Sequence, residues 1–596
     1  MDWHWSGWIM NERWIEIRKG ADFAKIGETF SIDPVIARLI RNRDVTEMDE
    51  IRSYLYGGTE GLHDPRTMRD MEKAVSIITD KIKQGKQIRI IGDYDIDGVS
   101  ATYILLKGLR RVGACASVKI PDRMKDGYGI NEHLILRAKE DGVDTILTCD
   151  NGIAALDAIA YAKKEGMTVV VTDHHDIPFE ETDGERHYLK SEADAIVNPH
   201  QPDCAYPYKM LCGAAIAWKF IQVLYETCGI PVEEADEFLE NAAFATVGDV
   251  VDLTGENRLI VRLGLEKLHH TKSPGMRALI LQNNLRPEEV KSYHIGFVLG
   301  PCINASGRLD TAKRSLELLL AEDEKTASVY ASDLIALNES RKDMTHQGVE
   351  AACEKIGADG IDRQKVMIIY LPDCHESLAG IIAGRIRERY NHPVFVLTDA
   401  EDGVKGSGRS IEAYSMYEEM TKCKDLFTKF GGHPMAAGLS LPKENIPEFV
   451  RRMNENCTLT EADFAPVVNI DIAMPLCYIT ERLIGQLDLL EPFGKENTKP
   501  VFAARNILVH SARVVGKNAN VLRLSLVMED GRWMQAVHFG DPEDFFSYVL
   551  EKYGEQETER LKAGRGSKVA MSFVYYPKIN EYNGERSIQI VVQKYR

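Results

Sequence analysis

No two of the eleven cysteines stand in CxxC spacing, and their odd number fits no disulfide framework. That excludes a zinc ribbon built on thiolate pairs and points to reduced thiols in a cytoplasm. No apolar run is long enough to span a bilayer. The start of the chain (Asp2, Trp3, His4, Trp5, Glu12) lacks the basic and apolar regions of a signal peptide. Basic charge is also short: 73 Lys and Arg against 91 Asp and Glu leave a net charge of −18. Bulk attraction is therefore a poor device for holding a polyanion, although a local basic groove stays open. Low-complexity tracts and internal repeats are missing. What is present is an ordinary soluble composition, 44% hydrophobic and 28% charged over 596 residues. That length serves about three or four separate cores.

The chain is organised around residues 91 to 97, Ile-Gly-Asp-Tyr-Asp-Ile-Asp. The apolar stretch before them suits a buried strand, and Ala101 to Leu109 suits a helix. Asp93, Asp95 and Asp97 thus fall where an α/β sheet presents its strand ends to ligand. Carboxylates this close repel unless a cation neutralises them, which points to a divalent metal. A solvated acidic turn and the start of a calcium loop are the competing readings, the second weakened by the lack of a ligand-spaced glutamate. Strand-like runs follow at 117–120, 145–148, 168–172 and 195–197 with helical stretches between most of them. The alternation indicates an α/β, doubly wound, mainly parallel sheet. Directly after these runs stand Asp150-Asn151-Gly152 and Asp173-His174-His175, and a later helical stretch carries Thr246 to Asp252. Singly each is a turn or a helix cap. Jointly they deliver Asp and His ligands to one rim, a mixture suited to Mn²⁺ or Mg²⁺.

Residues 1 to 75 lean helical, with Trp3, Trp5, Trp8 and Trp14 expected to anchor the N-terminal arm on a core rather than to stack on bases. Asn304 to Arg308 combines small residues with a guanidinium suited to phosphate. Residues 313 to 356 read as one long connecting helix. A second α/β unit begins at Val366. Within it Gly406-Ser407-Gly408-Arg409-Ser410 is expected at a helix start as an anion site, and Phe430-Gly431-Gly432-His433 at a helix end. From residue 465 short β-leaning runs fit a small antiparallel barrel.

With these motifs in order, the chain resembles the DHH phosphoesterase superfamily, and within it the RecJ family of single-strand-specific 5′→3′ exonucleases. The likeness runs through Gly92 to Gly98, Pro121 to Gly129, Asp150 to Gly152, Asp173 to His175, Thr246 to Val251, Asn304 to Arg308, Gly406 to Ser410 and Gly431 to His433. Leu62 to Pro65 and Pro492 to Gly494 have counterparts as well. It implies an N-terminal extension (1–75), a DHH domain (76–312), a connecting helix (313–356), a DHHA1 domain (357–464) and an OB-like barrel (465–596). It implies two ions, Mn²⁺ or Mg²⁺, held by Asp95, Asp97, Asp150, His174 and Asp249. Asp150 would bridge them, Asp93 would support, and His175 would contact the phosphoryl group or act as an acid. Arg308, Ser407 and Arg409 would grip a 5′ phosphate and Arg123 the backbone further along, with Asn304, Gly432 and His433 also on the substrate path. Single-stranded DNA would be cut to 5′-mononucleotides. The implied setting is a cytoplasmic monomer, away from membranes, beside a single-strand-binding protein and a RecQ-type helicase. Ile91 departs from the metal-binding histidine of some DHH enzymes, Gly248 stands where alanine is usual, and Lys495 to Thr498 replaces a more glycine- and proline-like continuation. Two rival readings stand beside this one. A small-substrate DHH phosphoesterase, for oligoribonucleotides or cyclic dinucleotides, usually lacks the barrel. A non-catalytic single-strand-binding relative loses metal ligands that are all Asp or His here.

Overall fold

The apolar runs condense into the expected layers in a computed structural model, which describes residues 12–122, 126, 129–182, 185–401, 403–516, 518–582 and 584–596. Trp3, Trp5, Trp8 and Arg123 lie outside the described residues. Two compact units form, and they do not follow chain order. One contains residues up to Gly57, Ala465–Glu491 and Thr498–Arg596; the other contains Gly58–Phe464 and Pro492–Asn497.

In the second unit the first sheet is all parallel, in the order Cys115–Lys119, Gln87–Ile91, Thr145–Cys149, Thr168–Thr172, Ala195–Val197. Numbered along the chain this is 2-1-3-4-5, so the strand order reverses between Gln87–Ile91 and Thr145–Cys149. A crevice opens there outside the strand C-termini, where such sheets take ligands. The central strands are apolar on both faces. Ile88, Ile90 and Leu147 pack toward the helices Ile96–Arg111 and Gly213–Thr227, and Ile91, Ile146 and Val169 toward the opposite side. The second sheet is mixed. Met367–Tyr370 and Val394–Ala400 are parallel, and Gly403–Arg409, Ala436–Leu441 and Lys429–His433 extend it antiparallel. The helix expected over 313–356 is two, Lys313–Leu320 and Glu324–Asp359. Asp323 interrupts them by accepting from Thr326 N and capping the second.

Two expectations about local structure are corrected. Gly406 to Arg409 lies on a strand rather than at a helix start, and Phe430 to His433 forms a strand rather than a helix end. The glycines serve packing. A Cβ on Gly408 would overlap Met416 and Phe395, and one on Gly406 would overlap Leu397.

In the first unit, strand Phe502–Val515 pairs on one side with Val521–Val527 and on the other with Ala570–Tyr582, closing five strands of the six-stranded sheet into a ring, with the short strand Ile472–Ala473 added beside Phe502 and Ala503. Closure removes the exposed edges that an open sheet would carry. Trp14, on a strand paired with Val467–Ile470, packs against Ile470, Ala503 and Val574 with Arg596 over its ring at 4.2 Å. It anchors the N-terminal arm. Among the described residues no helix is long and apolar enough to cross a membrane.

Away from the acidic loop, burial also sets a carboxyl at odds with neutral pH. Glu240 is buried on helix Leu239–Gly248. Desolvation, with Glu237 adding to it, lifts its pKa to about 7 despite a 2.9 Å bond from Thr271 Oγ1. The folded chain therefore holds this proton more tightly than the unfolded chain, and stability falls as pH rises through the interval up to about 7. Glu240→Gln should stabilise the protein at pH 8 by on the order of 2 kcal/mol and give no gain at pH 4. Thermal melts of the two proteins across that range check this; a gain independent of pH would show that charge is not the cause.

Candidate metal centre and substrate cavity

The acidic loop owes its shape to close backbone contacts. Asp95 caps helix Ile96–Arg111, its Oδ1 accepting from Asp97 N and Gly98 N at 3.0 Å each. Asp97 is fully buried and meets the N-terminus of helix Gly213–Thr227, where Gly213 N donates to its Oδ2 at 2.6 Å and Ala214 N to its Oδ1 at 2.7 Å. Asp150 follows the third strand in left-handed backbone, φ +57°. Asp249 follows the end of helix Leu239–Gly248. His174 Nε2 lies 3.1 Å from Asp150 Oδ1, 3.6 Å from Asp97 Oδ2 and 3.7 Å from Asp249 Oδ2. Every residue expected as a metal ligand is thus in one cluster. Asp93, expected as support, offers an oxygen within 4.8 Å of those of Asp95 and Asp150. Asp97, His174 and Asp249 form a second such group, and Asp150, His174 and His175 a third.

The electrostatics fit cations. Burial and then its carboxylate neighbours, Asp97 first, push Asp150 well above the ordinary carboxylate range and Asp249 to about 9. Burial and Asp97 raise Asp95 too. Burial draws His174 down, leaving it neutral as a ligand must be. A ring of carboxylates that resist ionising beside a neutral imidazole suits two divalent cations bound through oxygen and nitrogen.

One organiser was not singled out from the sequence. Asp173 is buried. Its Oδ1 accepts from His174 N at 2.7 Å, from His175 N at 3.1 Å and from His175 Nδ1 at 2.7 Å, while Oδ2 accepts from Ile153 N. Desolvation would lower His175, but the bond and charge of Asp173 outweigh it and lift that imidazole to about 9. The signal was the first letter of the Asp-His-His run. Ile91 is buried in the core cluster that contains Ile130, Leu134 and Ile146.

The second sheet supplies a cationic wall. Along Gly403–Arg409 side chains alternate, so Lys405, Ser407 and Arg409 share one face. Cross-strand pairing sets Lys405 level with Ser440 and Lys429, Ser407 with Gly438 and Gly431, and Arg409 with Ala436 and His433. A cavity of about 760 Å³ lies on this face, lined by Tyr94 of the acidic loop and by Glu376, Lys405, Ser407, Lys429 and Gly432 among others. Lys405 is held by Glu376 at 2.8 Å. The structure thus brings Ser407 and Gly432 to the acidic loop; Arg409 and His433 extend the same face. Arg409 is packed over Gly380, and desolvation with Arg387 nearby lowers its pKa. Arg308 bridges the two sheets' domains through a 2.9 Å bond to Ser377 O, and Asn304 Oδ1 accepts from Ile96 N at 2.8 Å. Lys405 and Lys429 were missed in the sequence.

Three family models match: DHH family, N-terminal domain over residues 87–246, DHHA1 domain over 363–458 and RecJ OB domain over 470–594. The single-stranded-DNA-specific exonuclease RecJ of Bacillus subtilis is 34% identical over 98% of this chain and 70% of its own length. That of Salmonella typhimurium is 31% identical over 94% of this chain and 95% of its own. Among solved structures, RecJ from Thermus thermophilus in complex with Mn²⁺ superposes with a TM-score of 0.78 at 25% identity, covering 98% of this chain and 79% of that one. A structure of exonuclease RecJ bound to manganese reaches 0.56 at 29% identity, over 66% of this chain and 98% of that one.

Proposed function

This chain belongs to the RecJ family of single-stranded-DNA-specific exonucleases, and on that premise we propose how its residues divide the work of removing nucleotides from a 5′ end. The carrying observation is that Tyr94, inside the acidic loop, lines the same cavity as Lys405, Ser407 and Lys429. A 5′ phosphate seated on the cationic wall would direct the next phosphodiester toward the acidic loop and its carboxylates. Asp95, Asp97, Asp150, His174 and Asp249 would hold Mn²⁺ or Mg²⁺, with Asp93 supporting them. When bound, the two ions supply charge against the developing phosphoryl anion and a water nucleophile ionised near neutral pH. His175, oriented by the bond between its Nδ1 and Asp173, would present Nε2 to a phosphoryl oxygen or, when protonated, give that proton to the leaving 3′ oxygen. Arg308, Ser407 and Arg409 would bind the terminal phosphate, with Lys405 and Lys429 added to them. The closed barrel, matched by the RecJ OB domain model, supports binding of a strand longer than the small-substrate reading needs. The complete ligand set stands against a non-catalytic relative. A cytoplasmic monomer acting beside a single-strand-binding protein and a RecQ-type helicase rests on the family resemblance.

The test uses 5′-labelled single-stranded DNA, duplex DNA and RNA with Mn²⁺ or with EDTA. Single strands should be lost only with the metal, and Asp150→Ala should stop digestion. Survival of single strands with Mn²⁺ sinks the reading. Arg409→Ala should reduce the preference for a 5′-phosphorylated over a 5′-hydroxyl end by about ten-fold or more, the worth of one charge-assisted bidentate contact. An unchanged preference removes Arg409 from the phosphate site.

A further inference from the structure

Asn304 and Arg308 belong to one continuous helical run that starts at Ser292, passes through a π-helical turn at Ile295–Leu299 and ends at Leu309. Along it, Ile295, Leu299, Gly300, Cys302, Ile303, Ala305, Ser306 and Gly307 are buried. Tyr293 and Phe297 are exposed, and the half-buried Pro301, Asn304 and Arg308 continue the stripe from them at three- and four-residue spacing. Its C-terminal half carries the polar groups already placed on the substrate path. The N-terminal half ends in two exposed rings, Tyr293 at 63% and Phe297 at 71%, stacked with centroids 5.0 Å apart and planes 29° from parallel. Large aromatic side chains this exposed are uncommon on a face without a partner. A π turn inside a helix is also frequent at functional sites.

The helix that carries the rings is held in place. Ser292 Oγ donates to Phe493 O at 2.7 Å, and Gly296 lies against Val247, two residues before Asp249. Gly300 packs on Ile96 of the acidic loop, and Asn304 bonds the Ile96 amide. The run therefore passes the metal centre, with Arg308 on one side of it and Phe297 on the other, roughly 16 Å apart along the axis at about 1.5 Å per residue.

We propose that Tyr293 and Phe297 form a base-stacking ledge for the single strand on the 3′ side of the scissile bond, a binding site continuous with the phosphate grip at Arg308. The inference rests on the exonuclease reading above. Bases of single-stranded DNA are its occupants, because a π face takes any base and the stripe leads directly to the phosphate-binding groups. Duplex DNA hides its base faces, so the ledge also contributes to single-strand selectivity.

The test compares kcat/KM of the full-length protein on a 5′-phosphorylated trinucleotide and on a single strand of about twelve nucleotides. Tyr293→Ala/Phe297→Ala should reduce the advantage of the longer strand by about ten-fold or more. Tyr293→Leu/Phe297→Leu, which keeps apolar bulk without π faces, should lose it as well. In Mn²⁺-free binding assays, 2-aminopurine moved along the strand should be quenched by wild type at a few positions from the 5′ end, and not by either variant. An unchanged length advantage, an equal loss on both lengths, or full rescue by leucine would overturn the ledge; the last would show that apolar bulk, and not stacking on a π face, holds the strand. A wild-type protein that digests neither substrate would overturn the exonuclease reading, and the ledge with it.

Discussion

Gly213→Ala should leave a folded protein that digests single strands on the order of a hundred-fold more slowly, the scale expected when a site shifts by about 1 Å. Gly213 begins the helix whose first amides bind both oxygens of Asp97. A Cβ there would stand 2.7 Å from Asp150 Cβ, 3.0 Å from Asp150 Cα and 3.1 Å from Asp97 Oδ2. Asp150 cannot retreat easily, since its backbone is committed to the left-handed region and its amide donates to Thr172 O. The helix must back away, which breaks its bonds to Asp97 and withdraws the partial positive charge of its N-terminus from a ring of carboxylates. The Mn²⁺ concentration giving half-maximal activity should rise together with the loss of rate. Gly357→Ala, where a Cβ meets nothing within 4 Å, is the control. Wild-type activity of Gly213→Ala at the same Mn²⁺ concentration would show that the approach of helix to loop is not needed.

That contact also marks the limit of what a sequence can tell. The parallel sheet was legible because its strands are short apolar runs alternating with helices, and so were Asp95, Asp97, Asp150 and His174, which follow those runs closely; Asp249 instead stands at a helix end. Gly213 was not legible. Its reason is a close approach to residues far away along the chain, and nothing local distinguishes it from any glycine at a helix start. Lys405 and Lys429 were hidden differently. The glycines beside them read as turn or cap, whereas Gly406 and Gly408 are small because Leu397, Phe395 and Met416 fill the other face of the strand. Once strand alternation is known, Lys405, Ser407 and Arg409 line up at once. The same holds for Pro492 to Asn497. In sequence these residues belong with the barrel, yet they fold in the other unit, where Leu253 N donates to Lys495 O and Lys495 pairs with Asp252 at 2.8 Å, three residues from Asp249.

Lys219→Met should destabilise the second unit by about 3–5 kcal/mol, the cost of leaving a buried charge without its partner. Lys219 Nζ lies 2.8 Å from Glu256 Oε1, with side-chain exposures of 1% and 0%. Glu256 also accepts from Tyr206 Oη at 2.6 Å and from His63 N at 2.8 Å, and Lys219 donates to His63 O at 2.9 Å. Burial draws the Lys219 ammonium below the ordinary lysine range even with Glu256 beside it, so the pair is expensive to keep and more expensive to break. Its role is to fasten Leu62 to Pro65 onto the helix Gly213–Thr227, the same helix whose first turn holds Asp97. Methionine preserves the stem and its packing, so the loss measures charge and hydrogen bonds rather than a cavity. Trp218, buried next to the pair, reports the unfolding by its fluorescence in urea. Adding Glu256→Gln to Lys219→Met should recover part of the stability, because it removes the stranded carboxylate while keeping an acceptor for Tyr206 and His63. If Lys219→Met alone is neutral, the ion pair is dispensable and the segment is held by apolar packing; if the double variant is weaker still, the stranded charge was not the cause.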